Sequence, residues 1–153
     1  MLSQRLRRPA AFCVFAIALV LSSCSSNNKG KIEGKWKMVS GSKQDANMEQ
    51  LKGMGVTMAF EFKPDGTFGV DLVPLDDKPE SKAAAMMAST GLKGKEFTGK
   101  YTLASGDKVN FSGAKDMFNG KAATSNISIT GDAMTMKDPD GTTLQLVRIT
   151  ATP

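Results

Sequence analysis

The feature that most constrains this chain is an agreement between its turns and its hydrophobic phase. From Ile32 onward apolar residues recur with a period of two, the mark of strands with one buried face. Lys63-Pro64-Asp65-Gly66-Thr67 has the chemistry of a type I turn with Gly in the left-handed position, a three-residue hairpin loop. That loop sets Phe62 opposite Phe68, Phe60 opposite Val70 and Met58 opposite Leu72. The same chemistry recurs at Asp138-Pro139-Asp140-Gly141-Thr142 and sets Met136 opposite Leu144 and Met134 opposite Leu146. A two-residue Gly131-Asp132 loop sets Ile129 opposite Met134 and Ile127 opposite Met136. A Ser105-Gly106-Asp107 loop sets Leu103 opposite Val109 and Tyr101 opposite Phe111. A slip of one residue at any of these turns would place every apolar side chain on the wrong face.

The predicted strands are 31–40, 57–63, 67–73, 96–103, 108–113, 124–130, 133–137 and 142–149. Short spacings and Gly, Asp and Pro turns make this an all-β domain. Eight antiparallel strands with one buried face close most simply into an up-and-down barrel. Two longer connections carry helical signals: Met48 and Leu51 within 44–55, and the run Lys82-Ala83-Ala84-Ala85-Met86-Met87-Ala88 within 74–94. Residues 114–123 form a third loop.

The first 24 residues read differently. Arg5, Arg7 and Arg8 precede a nearly unbroken apolar run from Ala10 to Leu21. Those twelve residues are too few to cross a hydrocarbon core, which takes about twenty, but they suit a secretion signal. The run ends in Leu21-Ser22-Ser23-Cys24, which resembles the bacterial lipobox. The resemblance implies diacylglycerol on the Cys24 thiol, cleavage before it and acylation of the new amino group. One chain would anchor marginally, whereas two or more anchor stably. If the envelope is Gram-negative, Ser25 after the cysteine suggests sorting to the outer membrane, facing the periplasm. The expected division is a signal peptide over 1–23, a lipidated Cys24 with a flexible tether through 31, and a barrel over 32–150. Ser25-Ser26-Asn27-Asn28-Lys29-Gly30, small and polar, is the tether.

With the signal removed, 17 Lys and Arg stand against 15 Asp and Glu. That balance, with the lysines scattered, argues against nucleic acid as a partner. The chain has no histidine, so His-based triads and His metal sites are excluded. Of its two cysteines Cys13 leaves with the signal and Cys24 is the acylation site, so the mature domain has no disulfide.

Gly34-Lys35-Trp36 in the first strand matches the lipocalin G-x-W, and Arg148 in the last strand matches the arginine that packs over that tryptophan. The phrases Phe60-Glu61-Phe62-Lys63-Pro64-Asp65-Gly66-Thr67-Phe68 and Ile129-Thr130-Gly131-Asp132-Ala133-Met134-Thr135-Met136 resemble small bacterial lipocalin-like lipoproteins. The resemblance spans residues 32–149 and lacks the second-region T-D-Y motif of lipocalins proper. It implies a barrel closed by Trp36 and Arg148, whose strands are neighbours only if first meets last.

Other constellations have plain readings. Asp138, Asp140 and Gly141 echo the start of a calcium loop but lack its closing Glu, which leaves a hairpin turn. Asp76, Asp77 and Glu80 could attract a cation or form a solvated loop. The methionines could hold copper(I) or fill space. Met58, Met134 and Met136 fall at inward positions, and Met48, Met54, Met86, Met87 and Met117 in loops. Lys93, Lys95 and Lys100 read as an exposed face. No Ser, Thr or Lys sits in a recognisable nucleophile motif, so the domain reads as non-catalytic, with no cofactor and no metal. Two functions remain. One is a binding module holding a small apolar ligand inside the barrel. The other is a structural or interaction lipoprotein with a packed barrel and a protein partner in the envelope. The volume left inside the barrel separates them.

Overall fold

The computed structural model describes residues 28–42, 46–91, 97–105, 107–114 and 122–150. Eight strands, β1 (Gly34–Gly41), β2 (Val56–Phe62), β3 (Thr67–Pro74), β4 (Thr98–Leu103), β5 (Lys108–Ser112), β6 (Ala123–Thr130), β7 (Ala133–Lys137) and β8 (Thr143–Arg148), form a closed antiparallel up-and-down barrel. Two helices, α1 (Ala46–Gly53) and α2 (Pro79–Gly91), lie in the β1–β2 and β3–β4 connections. Both are where the helical spacing places them. Pro79 opens α2 at a position where its missing N–H costs nothing.

The strand register is the one the turns dictate. Phe62 faces Phe68, Phe60 faces Val70 and Met58 faces Leu72. Tyr101 faces Phe111 and Leu103 faces Val109. Ile127 faces Met136 and Ile129 faces Met134. Met134 faces Leu146 and Met136 faces Leu144. Gly66 and Gly141 take φ of 81° and 85°, the left-handed conformation that a side chain disfavours. Each Pro-Asp-Gly turn is fastened by its own aspartate. Asp65 accepts from the Thr67 N–H (2.9 Å) and hydroxyl (2.6 Å), and Asp140 accepts from the same two groups of Thr142. The Thr67 hydroxyl and N–H hold the Asp65 carboxyl below its ordinary range.

Closure comes from β1 against β8, where Trp36 pairs with Arg148 and Met38 with Leu146, with a bulge between Met38 and Ser40. The barrel therefore has two unlike ends. The β2–β3, β4–β5 and β6–β7 turns share one end with residues 28–33. Both helices and the β7–β8 turn share the other. The core sits nearer the first end and holds Trp36, Phe60, Phe62, Phe68, Phe111 and Ile127, all buried.

Two expectations are corrected at the N-terminus. Strand β1 begins at Gly34, not at residue 31. Residues 28–31 are not part of a tether. Asn28 is 3% exposed, and its amide donates to Asp107 Oδ1 (2.9 Å) and to the Ile127 carbonyl (3.2 Å). A polar residue packs there because both its donors find acceptors. Its carbonyl in turn accepts from the Lys31 and Ile32 N–H groups, closing a turn. Ile32 is buried in the core rather than in a strand. Cys24, Lys93, Lys95, Gly106 and Met117 lie outside the described residues.

Candidate functional site

Inward side chains decide whether an eight-stranded barrel is hollow and can hold a ligand. Four aromatic rings meet inside it. Phe62 lies 5.2 Å from Tyr101, edge to face, and 6.2 Å from Phe111. Phe68 lies 5.1 Å from Phe111 and 6.3 Å from Phe62. These rings come from four successive strands and touch one another across the barrel, so at this level the space is filled. Gly99 makes the filling fit: a Cβ there would fall 2.7 Å from Phe68 Cε1 and 2.4 Å from the Ser112 carbonyl. The Tyr101 hydroxyl donates to the Lys63 carbonyl at 2.9 Å. Burial pushes the Tyr101 pKa up, with the carboxylates of Glu33 and Asp65 adding to it.

The end below this cluster is sealed. Trp36 is fully buried, and its Nε1–H donates to the Ile32 carbonyl at 2.7 Å. Arg148 Cζ stands 4.1 Å from the centre of the Trp36 ring. This lies within the roughly 6 Å over which a cation is drawn to an aromatic face. Arg148 also donates to the Glu33 carbonyl (2.6 Å) and the Lys31 carbonyl (2.7 Å), and its Nε lies 3.4 Å from Asp132. Gly34 leaves room for the guanidinium, since a Cβ there would come within 2.8 Å of Nη1.

The helical end is different. Here the inward residues Met58, Val70 and Leu144 are only partly buried. Among the described residues β3 and β4 are in register through Thr67, Phe68 and Gly69, with one further bond from Val70 N–H to the Phe97 carbonyl. Beyond that point α2 packs against β3. The Leu72 backbone groups are met by side chains. Leu72 N–H donates to Asp71 Oδ1 (2.8 Å), and the Ser89 hydroxyl donates to the Leu72 carbonyl (3.0 Å). Helix α2 seats Ser81 and Ala85 against the barrel and leaves Met86 and Met87 about three-quarters exposed. Between α2 and β3 lies a cleft of about 450 Å³, walled by Leu72, Pro74, Ala85 and Met86 with Ser89, Thr90 and Lys82. Among the described residues lining it, Lys82 is the one charged side chain. Other clefts are charged. One of about 310 Å³ takes in Lys35, Lys37, Asp76 and Asp77, and one of about 640 Å³ takes in Lys52, Asp76, Lys78 and Glu80.

The remaining candidates are accounted for locally. Asp138 accepts from Ser125 and anchors its turn through its backbone. Asp76 pairs with Lys78 at 3.1 Å and Asp77 with Lys82 at 3.7 Å. The Ser81 hydroxyl, then Lys78, holds the Asp76 carboxyl below its ordinary range. Among the described residues no three acidic, His or Cys side chains come together as a metal site. Met38, Met134 and Met136 are core residues.

Sequence reasoning did not single out Asn28, Asp132, the Asp71–Ser89 cap or the cleft. Asn28 lies in a run of small polar residues with nothing to set it apart. The cleft depends on how α2 packs against β3, which no local pattern encodes.

No family model and no curated protein matches the chain. Among solved structures, a glutamine variant of the fluorescent protein UnaG covers 81% of this chain and 99% of its own, at 15% identity and a TM-score of 0.37. Wild-type UnaG covers 79% and 98%, at 17% identity and a TM-score of 0.34. The fold assignment rests on the strand register and not on these likenesses.

Proposed function

We propose that this chain is a non-catalytic bacterial envelope lipoprotein of the lipocalin-like kind, anchored through acylated Cys24, that holds a small apolar ligand at the helical end of its barrel. The cleft between α2 and β3 carries the ligand reading. It is an open groove of about 450 Å³ whose lining has the composition of small-molecule sites, mostly apolar with a few polar groups. The ligand class follows from the lining. Leu72, Pro74, Ala85 and Met86 take an apolar body, Met86 adapting to its shape. Lys82 at the rim favours an acidic head group. The site is displaced from the barrel axis because the aromatic rings already occupy the axis.

The test is titration of cis-parinaric acid into the chain starting at residue 24 with Cys24→Ser. Saturable binding near one to one, lost in Ala85→Trp, supports the cleft. Absence of saturable binding overturns it. The second reading, a fully packed barrel with a protein partner, draws on the same aromatic packing. In that case the exposed Met86 and Met87 mark the face a partner would meet, and the probe would not bind.

A further inference from the structure

We propose that the closed end of the barrel is held flat against the lipid bilayer and the helical end points away from it, an inference that rests on acylation of Cys24. The direction of the chain at its N-terminus carries it. Residues 28–33 are stitched across the closed end from four separate strands or loops. Asn28 donates to the β4–β5 loop at Asp107 and to β6 at the Ile127 carbonyl. Trp36 on β1 donates to the Ile32 carbonyl. Arg148 at the end of β8 donates to the Lys31 and Glu33 carbonyls. The chain upstream of Asn28 therefore leaves from the closed end and from nowhere else.

Four peptide steps separate Cys24 from Asn28. Fully extended they span about 14 Å at roughly 3.5 Å each. A tether reaching to residue 31 and free at that point would allow the barrel to tumble on the surface, whereas this one cannot reach past the rim. An eight-residue strand such as β1, at about 3.3 Å per residue and tilted by roughly 40°, is about 20 Å tall. That height exceeds the leash, so the closed end cannot be lifted clear of the bilayer to bring the helical end down in its place while the stitching is intact. The closed end carries Lys29, Lys31 and Lys63 together with Asp65, Asp107 and Asp132, all exposed. Mixed charge gives no attraction of its own to an anionic surface, so the lipid and the leash set the orientation. The α2 cleft then opens to the aqueous side.

The experiment uses the full lipidated protein in vesicles of phosphatidylethanolamine and phosphatidylglycerol containing a headgroup nitroxide lipid. The acylated Cys24 leaves no free thiol, so single labels can be introduced by Lys63→Cys or Lys108→Cys at the closed end and Met86→Cys on α2. With a fluorophore at each, quenching at the closed end should exceed that at residue 86 by at least threefold. Asn28→Ala should shrink that ratio while leaving the Met86→Cys emission in detergent unchanged. Equal quenching at both ends, with mass spectrometry showing acylated Cys24, overturns the orientation alone. Absence of acyl groups on Cys24 overturns the anchor and the orientation with it.

Discussion

Replacing Arg148 by Met tests how the barrel is shut. The guanidinium donates to two carbonyls, those of Glu33 and Lys31. Bonds to a charged partner contribute about 1.5–3 kcal/mol each. With the side chain one-quarter exposed, the lower figure applies, giving about 3 kcal/mol for the two. The ion pair with Asp132, whose side chain is 73% exposed, adds less than about 1 kcal/mol. Contact with the Trp36 face adds about 0.5–2 kcal/mol. Met keeps the apolar stem and regains side-chain freedom, so the expected net loss is about 3 kcal/mol. Trp36→Phe strands the Ile32 carbonyl that Nε1 satisfies, at about 1–3 kcal/mol, and leaves space behind the smaller ring. The two losses should not add. A double-mutant cycle read by urea melts should return a coupling of about 1 kcal/mol. A coupling indistinguishable from zero would refute the stacking, and an Arg148→Met cost below about 1 kcal/mol would refute the carbonyl clamp.

Three further outcomes follow from particular positions. Gly66→Val and Gly141→Val should each cost about 1–2 kcal/mol in urea melts; the former should cost at least as much, because its Cβ also meets the Tyr101 carbonyl at 3.4 Å while residue 141 has open space. Gly99→Ala should cost about 2 kcal/mol or more despite adding one methyl, since Phe68 and the Ser112 carbonyl both stand within 2.7 Å of the new atom; a neutral result would mean that the aromatic packing is loose. Burial raises the folded-state pKa of Tyr101 above its ordinary 10.0, so its contribution is fully present below pH 10 and is lost as pH climbs through the raised value. Stability measured between pH 9 and 12 should fall less steeply in Tyr101→Phe, which should also cost about 0.5–1.5 kcal/mol at pH 7 through the lost bond to the Lys63 carbonyl.

The fold was legible because its information is local. A Pro-Asp-Gly turn fixes a loop length, the loop fixes a register, and the register either aligns the apolar residues or scatters them. Phe62 against Phe68 and Met136 against Leu144 could be read from seven and nine residues. Barrel closure was legible for a different reason: Gly34-Lys35-Trp36 and Arg148 resemble the lipocalin pair that meets where the first strand joins the last. What escaped has no local signature. Asn28 is buried because Asp107 and Ile127 present acceptors to it, and those residues lie 79 and 99 positions away. The packing of α2 against β3 joins residues distant in sequence, and the Asp71 and Ser89 side chains that meet the Leu72 backbone look like ordinary polar positions. The methionines show the limit most clearly. Met134 and Met136 could be assigned to the core from their alternation. Met86 could not be assigned to a cleft, because its role depends on what α2 lies against.

The most direct test of the account is where a ligand sits. Methyl NMR of the chain from residue 24 with Cys24→Ser, labelled at Ala, Leu, Val and Met and titrated with lauric acid, separates the two ends of the barrel. Saturable shifts are expected at Leu72, Ala85 and Met86, with Val109, Met134 and Leu146 in the packed interior left in place. Shifts centred on those interior methyls would contradict a ligand in the cleft, and so would a spectrum that does not change.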